Sequence, residues 1–296
     1  MNIMGKMVDS KEKQKKEVIS SMITIHHDDC LNAMKQLPDD HVDFVFADLP
    51  YGTTNNKWDV VLDLDALWDE YERVVKTNGA IVLSASQPFT SQLVMSKPEW
   101  FKYEWIWEKQ RASNFMRAKH EPLKYHENIL VFSKGNIDFQ PQRYPVLEIN
   151  EIMAMNKTEM NEMMKTKAYD RYGTIDRRKT VRNPDTNKDH LGSSIQRVRN
   201  ADDGYRNPKS VLKINKKLHG NIHPTQKPVE LVEYLIRSYT NENDVVLDNT
   251  MGSGSTGIAC INTNRQFVGM EKDSVYYEQA KEWLSEHQKQ VRIKQA

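Results

Sequence analysis

The chain has 296 residues and a formal net charge of +1, from 42 Lys+Arg against 41 Asp+Glu. At about 150 residues per domain this implies one or two domains, and 38% hydrophobic against 28% charged residues points to a normal core diluted by a polar excursion or tail. No apolar run approaches the ~20 residues of a membrane span, and the start lacks a signal-peptide core. Two cysteines, Cys30 and Cys260, are too few for a disulfide framework or a four-cysteine zinc site. The expectation is a cytoplasmic protein with neither membrane nor metal.

Residues 1–20, which carry the Lys11–Lys16 charge run, read as a frayed terminus. Ile23–Ile25 is a short strand, and Asp28 or Asp29 can cap a helix that ends before Pro38. Val42–Ala47 reads as a buried strand running straight into Asp48-Leu49-Pro50-Tyr51-Gly52. A helix is predicted over Leu64–Lys76, with Leu67, Tyr71, Val74 and Val75 on one face and Asn78-Gly79 as its stop. Strands follow at Ala80–Ser84, Tyr103–Trp107 and Asn128–Phe132. The stretch 137–220 breaks the pattern. It opens with a Met- and Glu-rich, helical-looking run, Glu148–Lys165, and continues into loops rich in Asn, Gly, Ser and Asp. Beyond it Pro228 suits the first position of a helix, in which Val229, Val232, Leu235, Ile236 and Tyr239 keep helical spacing. Asp244–Asp248 is a strand, Gly252–Gly257 a glycine turn into a helix, Gln266–Glu271 a strand and Ser274–His287 a closing helix. Strands alternating with helices imply an α/β fold with a doubly wound, mostly parallel, Rossmann-like sheet.

Charge is concentrated. From Arg171 to Gly220 there are 13 basic and five acidic residues, a net +8, so the remainder nets −7. A basic segment on an otherwise acidic chain suits a polyanion, although a solvated loop has the same composition. Three motifs carry candidate chemistry. In Asp248-Asn-Thr250-Met-Gly252-Ser-Gly254, glycines let a ligand approach the backbone ahead of a helix N-terminus. Glu271, at the end of the next strand, can accept hydrogen bonds from both ribose hydroxyls of a nucleoside. In Asp48-Leu49-Pro50-Tyr51 a carboxylate, an extended carbonyl and an aromatic face sit at a strand tip. In His223-Pro-Thr225-Gln-Lys227-Pro228 two prolines stiffen the approach to a helix start, where Thr225 and Lys227 can meet a bound carboxylate.

Together, in this order and at this spacing, the three motifs resemble those of the β-class DNA amino-methyltransferases. Trp107-Glu-Lys109 and His126-Glu127-Asn-Ile-Leu-Val-Phe132 add to the likeness, which covers about Ile23–Phe132 and His223–Trp283. It implies S-adenosylmethionine as methyl donor and a flipped-out base in double-stranded DNA as substrate. Asp48 and the Leu49 carbonyl would be the acceptors for the amine, with Pro50 and Tyr51 completing the catalytic turn. Asp248, Thr250, Gly252, Gly254 and Glu271 would surround the donor, and Thr225 and Lys227 would meet its carboxylate. Arg197, Arg199, Arg206 and Lys209 would contact DNA. Two positions depart from the family pattern: Leu49 stands where a proline is usual, and Thr250 where an aromatic is. Trp58 and Phe115 are secondary candidates for the pocket wall, with a core role equally open, and His126 reads first as a structural histidine and only second as a substrate contact.

The resulting segments are 1–20, a flexible N-terminus; 21–136, the catalytic half; 137–220, a target-recognition insert; 221–288, the cofactor-binding half; and 289–296, a tail. The leading expectation is an adenine-N6 DNA methyltransferase, because the family's cytosine enzymes more often carry Ser at the position of Asp48. N4-cytosine methylation, an inactive DNA-binding homologue and an RNA or small-molecule methyltransferase stay open, as do a homodimer and a cognate restriction endonuclease.

Overall fold

Alternation within the strands decides the layers. The structure, a computed structural model, describes residues 15–20, 22–52, 60–145, 205–215 and 226–295. Strands β1 (Lys15–Ser20), β2 (Ile23–His27), β3 (Val42–Ala47), β4 (Val75–Ala85), β5 (Phe101–Glu108), β6 (His126–Phe132), β9 (Val211–Lys213), β10 (Val245–Asp248) and β11 (Gln266–Glu271) form one sheet in the order β1-β2-β11-β10-β3-β4-β6-β5-β9. Successive side chains leave a strand on opposite faces. In β3, Phe44 and Phe46 therefore join one apolar layer, while Val45 and Ala47 join the other. Central strands are covered twice, which is why they read as continuous hydrophobic runs.

Helices α1 (Cys30–Met34), α2 (Leu64–Val74) and α3 (Phe89–Ser96) cover the face of Val45, whereas α4 (Val229–Tyr239), α5 (Ser255–Thr263) and α6 (Ser274–Gln295) cover the face of Phe44. Strands β2, β11, β10, β3 and β4 run parallel, with β6 antiparallel beside β4. The sheet is thus the expected doubly wound one. From β3 the chain winds through α2 to β4, and from β10 it winds through α5 to β11 in the opposite direction along the sheet. Since β3 and β10 are neighbours, the switch point lies between them, and a crevice opens beyond their carboxyl ends.

Several boundaries differ from expectation. The predicted α2 ends at Val74, because Val75 is already extended and pairs with Val42. Asn78-Gly79 therefore does not stop a helix. Gly79 sits inside β4, where a side chain would meet the Asp43 carbonyl at 2.9 Å, next to a register shift in the β3–β4 pairing. Pro228 is the cap residue before α4 and not its first helical residue. Part of the stretch read as a frayed terminus forms β1 against β2, and α6 runs past His287 through most of the expected tail. The basic stretch includes regular structure as well. Strand β9 extends the main sheet and buries Leu212, and the two-residue strands β7 (Tyr144–Pro145) and β8 (Tyr205–Arg206) pair antiparallel. The predicted helix Glu148–Lys165 lies outside the described residues. Among the described residues no helix is long and apolar enough to cross a membrane.

Candidate active site

The two strand tips at the switch point share one cavity of about 450 Å³, a size suited to a small-molecule ligand. Asp48, Leu49, Pro50 and Tyr51 line it from the β3 side. Asp248, Thr250 and Gly252 line it from the β10 side, with Glu271 at the end of β11 and Lys227 ahead of α4. The tips touch: the Thr250 hydroxyl donates to the Asp48 carbonyl at 3.3 Å. The departure from an aromatic at this position thus places a hydroxyl bridge between the two motifs. The other departure is explained by packing. Leu49 is 2% exposed and belongs to the layer with Cys30, Met34 and Leu67, so burial anchors the turn where a second proline would have stiffened it.

Asp48 is held on both oxygens. Oδ1 accepts from the Tyr51 hydroxyl at 2.7 Å, and Oδ2 accepts from Lys227 Nζ at 2.6 Å. Phe89 backs one face of the Tyr51 ring at a centroid distance of 5.3 Å. Lys227 is 7% exposed and also lies 3.1 Å from Glu127 Oε2, whose other oxygen accepts from Lys109 at 3.0 Å. Burial opposes the Lys227 charge, but the Asp48 and Glu127 carboxylates overcome it and hold the ammonium well above the usual lysine range. Burial likewise opposes the Glu127 charge, and Lys227 and Lys109 overcome it, so that its carboxyl stays well below the usual range. One lysine from each of two motifs, and a glutamate from a third, therefore form a neutral cluster with Asp48. The expectation placed Lys227 toward a ligand's carboxylate; its ammonium lies on Asp48, while its side chain still lines the cavity.

The β10 side is built around a buried carboxylate. Asp248 Oδ2 accepts from the Thr256 hydroxyl at 2.5 Å, and Oδ1 accepts from the Thr250 N–H at 3.1 Å. Burial raises its pKa to about 7 against the pull of those two donors, and the charges of Asp48 and Glu271 add to the rise. Gly252 and Gly254 take φ of 50° and 82°, the left-handed region where a side chain is strained. This conformation lets the Gly252 N–H donate to Glu271 Oε2 at 3.0 Å, while the Asp273 N–H donates to Oε1 at 2.8 Å. Burial raises the Glu271 pKa against these hydrogen bonds.

The cavity fits a nucleoside bearing an amino-acid tail. Its walls carry the Asp248 and Glu271 carboxylates and the sulfur-containing side chains of Met251 and Met270. The Asn249 amide adds a buried Nδ2 with no hydrogen-bond partner among the described residues, while its oxygen is taken by Tyr71 at 2.7 Å. Sequence reasoning missed Asn249, Glu127, and Asp28 and Asp29, which also line the cavity. The last two follow from register. Glu271 pairs with His27, so whatever follows β2 must arrive beside Glu271. Of the remaining candidates, Arg206 is half-buried on β8 and Lys209 is exposed, both away from the cavity lining. Phe115 and His126 are exposed and do not line the cavity. Trp58, Arg197, Arg199, His223 and Thr225 lie outside the described residues.

An open α/β sheet with a carboxylate tip and a glycine turn facing each other across its switch point defines a Rossmann-like enzyme of the methyltransferase type. The profile of the N6_N4_Mtase family, described as DNA methylase, matches residues 42–282, and the chain belongs to that family. It is 29% identical over 269 residues to the DNA adenine methyltransferase YhdJ of Escherichia coli strain K12, covering 86% of this chain and 79% of that one. It is 26% identical over 271 residues to the type II methyltransferase M.HpaI of Haemophilus parainfluenzae, covering 86% and 71%. Two solved structures share the fold. One is the M1.HpyAVI-SAM complex, with TM-score 0.53 and 24% identity over 88% of this chain and 100% of that one. The other is the cytosine-N4-specific PvuII DNA methyltransferase, with TM-score 0.54 and 12% identity over 92% and 93%.

Proposed function

We propose that this chain is a site-specific DNA methyltransferase that moves a methyl group from S-adenosylmethionine to the N6 amine of an adenine flipped out of double-stranded DNA. The observation that carries this reading is the meeting of the two tips: Asp48 and the glycine turn line one cavity and are bridged by Thr250. The choice of adenine rests on a carboxylate at position 48 and on likeness to a relative named for adenine.

An exocyclic amine is a poor nucleophile because its lone pair is delocalised into the ring. Acceptors on its two N–H bonds favour the tetrahedral nitrogen and stabilise the positive charge that develops there. Asp48 and the Leu49 carbonyl take these roles. An ionised carboxylate offers about four lone-pair sites, so Asp48 keeps room for an N–H beside Tyr51 and Lys227. Lys227, fully protonated, does not compete as a base. It fixes the carboxylate, and Glu127 cancels its charge so that a developing cation is not repelled. Tyr51 offers a flat wall to the base. S-adenosylmethionine, when bound, supplies a methyl already activated by its sulfonium. Asp248, Asn249, Thr250, Gly252 and Glu271, which line the cavity, would hold it in line with the amine. Gly254, whose open side faces Ala280 and Leu284 and not the cavity, would shape the turn, and Thr225 would meet the donor's carboxylate. Arg197, Arg199, Arg206 and Lys209 would engage phosphates and base edges. A cytoplasmic setting accords with two buried free cysteines. A partner nuclease belongs to the same proposal.

Asp48→Ala is expected to lower methyl transfer by about 10²–10³-fold or more while leaving S-adenosylmethionine affinity within a few-fold. Near-normal turnover by that variant would overturn the mechanism. Identification of the modified nucleoside by mass spectrometry tests the base: N6-methyladenine is expected, and N4-methylcytosine would replace the adenine reading.

A further inference from the structure

The arm between β5 and β6, residues 109–125, starts at the cavity and folds back on itself, and the residues at its turn lie outside the cavity lining. Lys109, Arg111 and Ser113 line the cavity. Two residues beyond, a single 3-10 turn, Phe115–Arg117, forms the tip. There Phe115 is 71% exposed and Met116 is 86% exposed, the most exposed large hydrophobic among the described residues. The exposure is built and not a frayed end. The Asn114 side chain accepts from the Lys124 N–H at 2.7 Å and donates to the Pro122 carbonyl at 3.0 Å. Ser113 N–H donates to the Lys124 carbonyl at 3.1 Å and Lys109 N–H to the Tyr125 carbonyl at 2.6 Å. Lys124 is further tied to the Ser86 hydroxyl at the end of β4.

A stiff arm that keeps two adjacent apolar side chains in water has a use for them. The arm carries Arg111, Arg117, Lys119 and Lys124 against one acid, Glu121, which pairs with Arg117 at 3.3 Å, so its net positive charge suits a polyanion better than an apolar protein groove. A base that leaves the duplex opens a gap in the stack, and apolar side chains inserted at a base step are a known way to hold such a distortion. We propose that Phe115 and Met116 form a wedge that enters the DNA stack as the target base swings into the cavity, with the basic residues of the arm on the flanking phosphates. This rests on the DNA methyltransferase reading and adds to it the element that drives flipping.

The test compares the unaltered chain with a Phe115→Ala/Met116→Ala variant on two duplexes. One is fully paired; the other has an abasic site opposite the target base, which removes its pairing partner. The wedge predicts a loss in kcat/KM of about 10-fold or more on the paired duplex, under twofold on the abasic duplex, and recovery with Phe115→Leu/Met116→Leu. In a methylation-independent arm, 2-aminopurine at the target position should brighten on binding of the unaltered chain and markedly less on binding of the alanine variant. Equal losses on both duplexes, or a 2-aminopurine signal that the variant leaves unchanged, would overturn the wedge. No loss on either duplex would also overturn it. The fluorescence arm reads the wedge even if methyl transfer itself is absent, so failure of the two readings can be told apart.

Discussion

Asp248 illustrates how a single buried carboxylate shapes pH behaviour. Its ordinary value of 3.8 rises to about 7 in the folded chain, burial being the main cause. Between those values the folded state keeps a proton that the unfolded state has released. Stability therefore falls as pH rises through that window, and the full penalty stands above about 7. Asp248→Asn removes the titration and keeps an oxygen for the Thr250 N–H. The melting temperature of this variant relative to the parent should climb from pH 5 to pH 8; a difference that stays flat would mean that Asp248 is already ionised at low pH. Residue-scale partners were the least legible part of the sequence. The acid, the aromatic and the glycines stood out by type and spacing. The Lys227–Glu127 pair, 100 positions apart, becomes visible only once β6 and the approach to α4 are brought together.

Among the elements, the turn and helix after β10 bear most directly on the site. Gly257 lies one turn into α5, where an added Cβ would come within 2.6 Å of Leu284 and 2.9 Å of the Phe267 ring. This glycine lets α5 lie close against β11 and α6, which fixes where the helix N-terminus points. Gly257→Ala overpacks that contact at a cost of about 1–3 kcal/mol. A lower melting temperature and weaker S-adenosylmethionine binding are expected together, measurable by thermal melts and calorimetry. If both stay unchanged, α5 is not what holds the turn. Elements were legible where physics leaves one choice: Val42–Ala47 and Gln266–Glu271 are apolar runs because both faces are covered. The end of α2 was not, since Asn-Gly serves equally as a helix stop and as a close approach inside a strand. Only the Val42–Val75 pairing decides between them.

At the scale of the whole molecule, the charge asymmetry carries the consequence for DNA. The stretch Arg171–Gly220 nets +8 on a chain that nets +1, and each phosphate neutralised releases bound counterions. Charge reversal at Arg197, Arg199, Arg206 and Lys209 should weaken DNA binding and flatten the slope of log affinity against log salt by up to about 0.9 per lost contact. Titrations at several ionic strengths would show it, and slopes identical to the parent's would place the DNA on another surface. The fold class was readable from alternation alone. The contribution of this stretch to the main sheet through β9 was not, because its loop-like composition hid a three-residue strand.

The short β7–β8 pairing brings Tyr144 beside Arg206, so the chain departs from the catalytic body and returns to it at a single doorway. Whatever spans those anchor points can change in length or wording while the sheet and its carboxylate stay put, since closing a longer excursion adds only about 0.6 kcal/mol per doubling. Under the proposed reading of residues 137–220 as the target-recognition insert, a new DNA address would then be a matter of replacing the text between two fixed brackets.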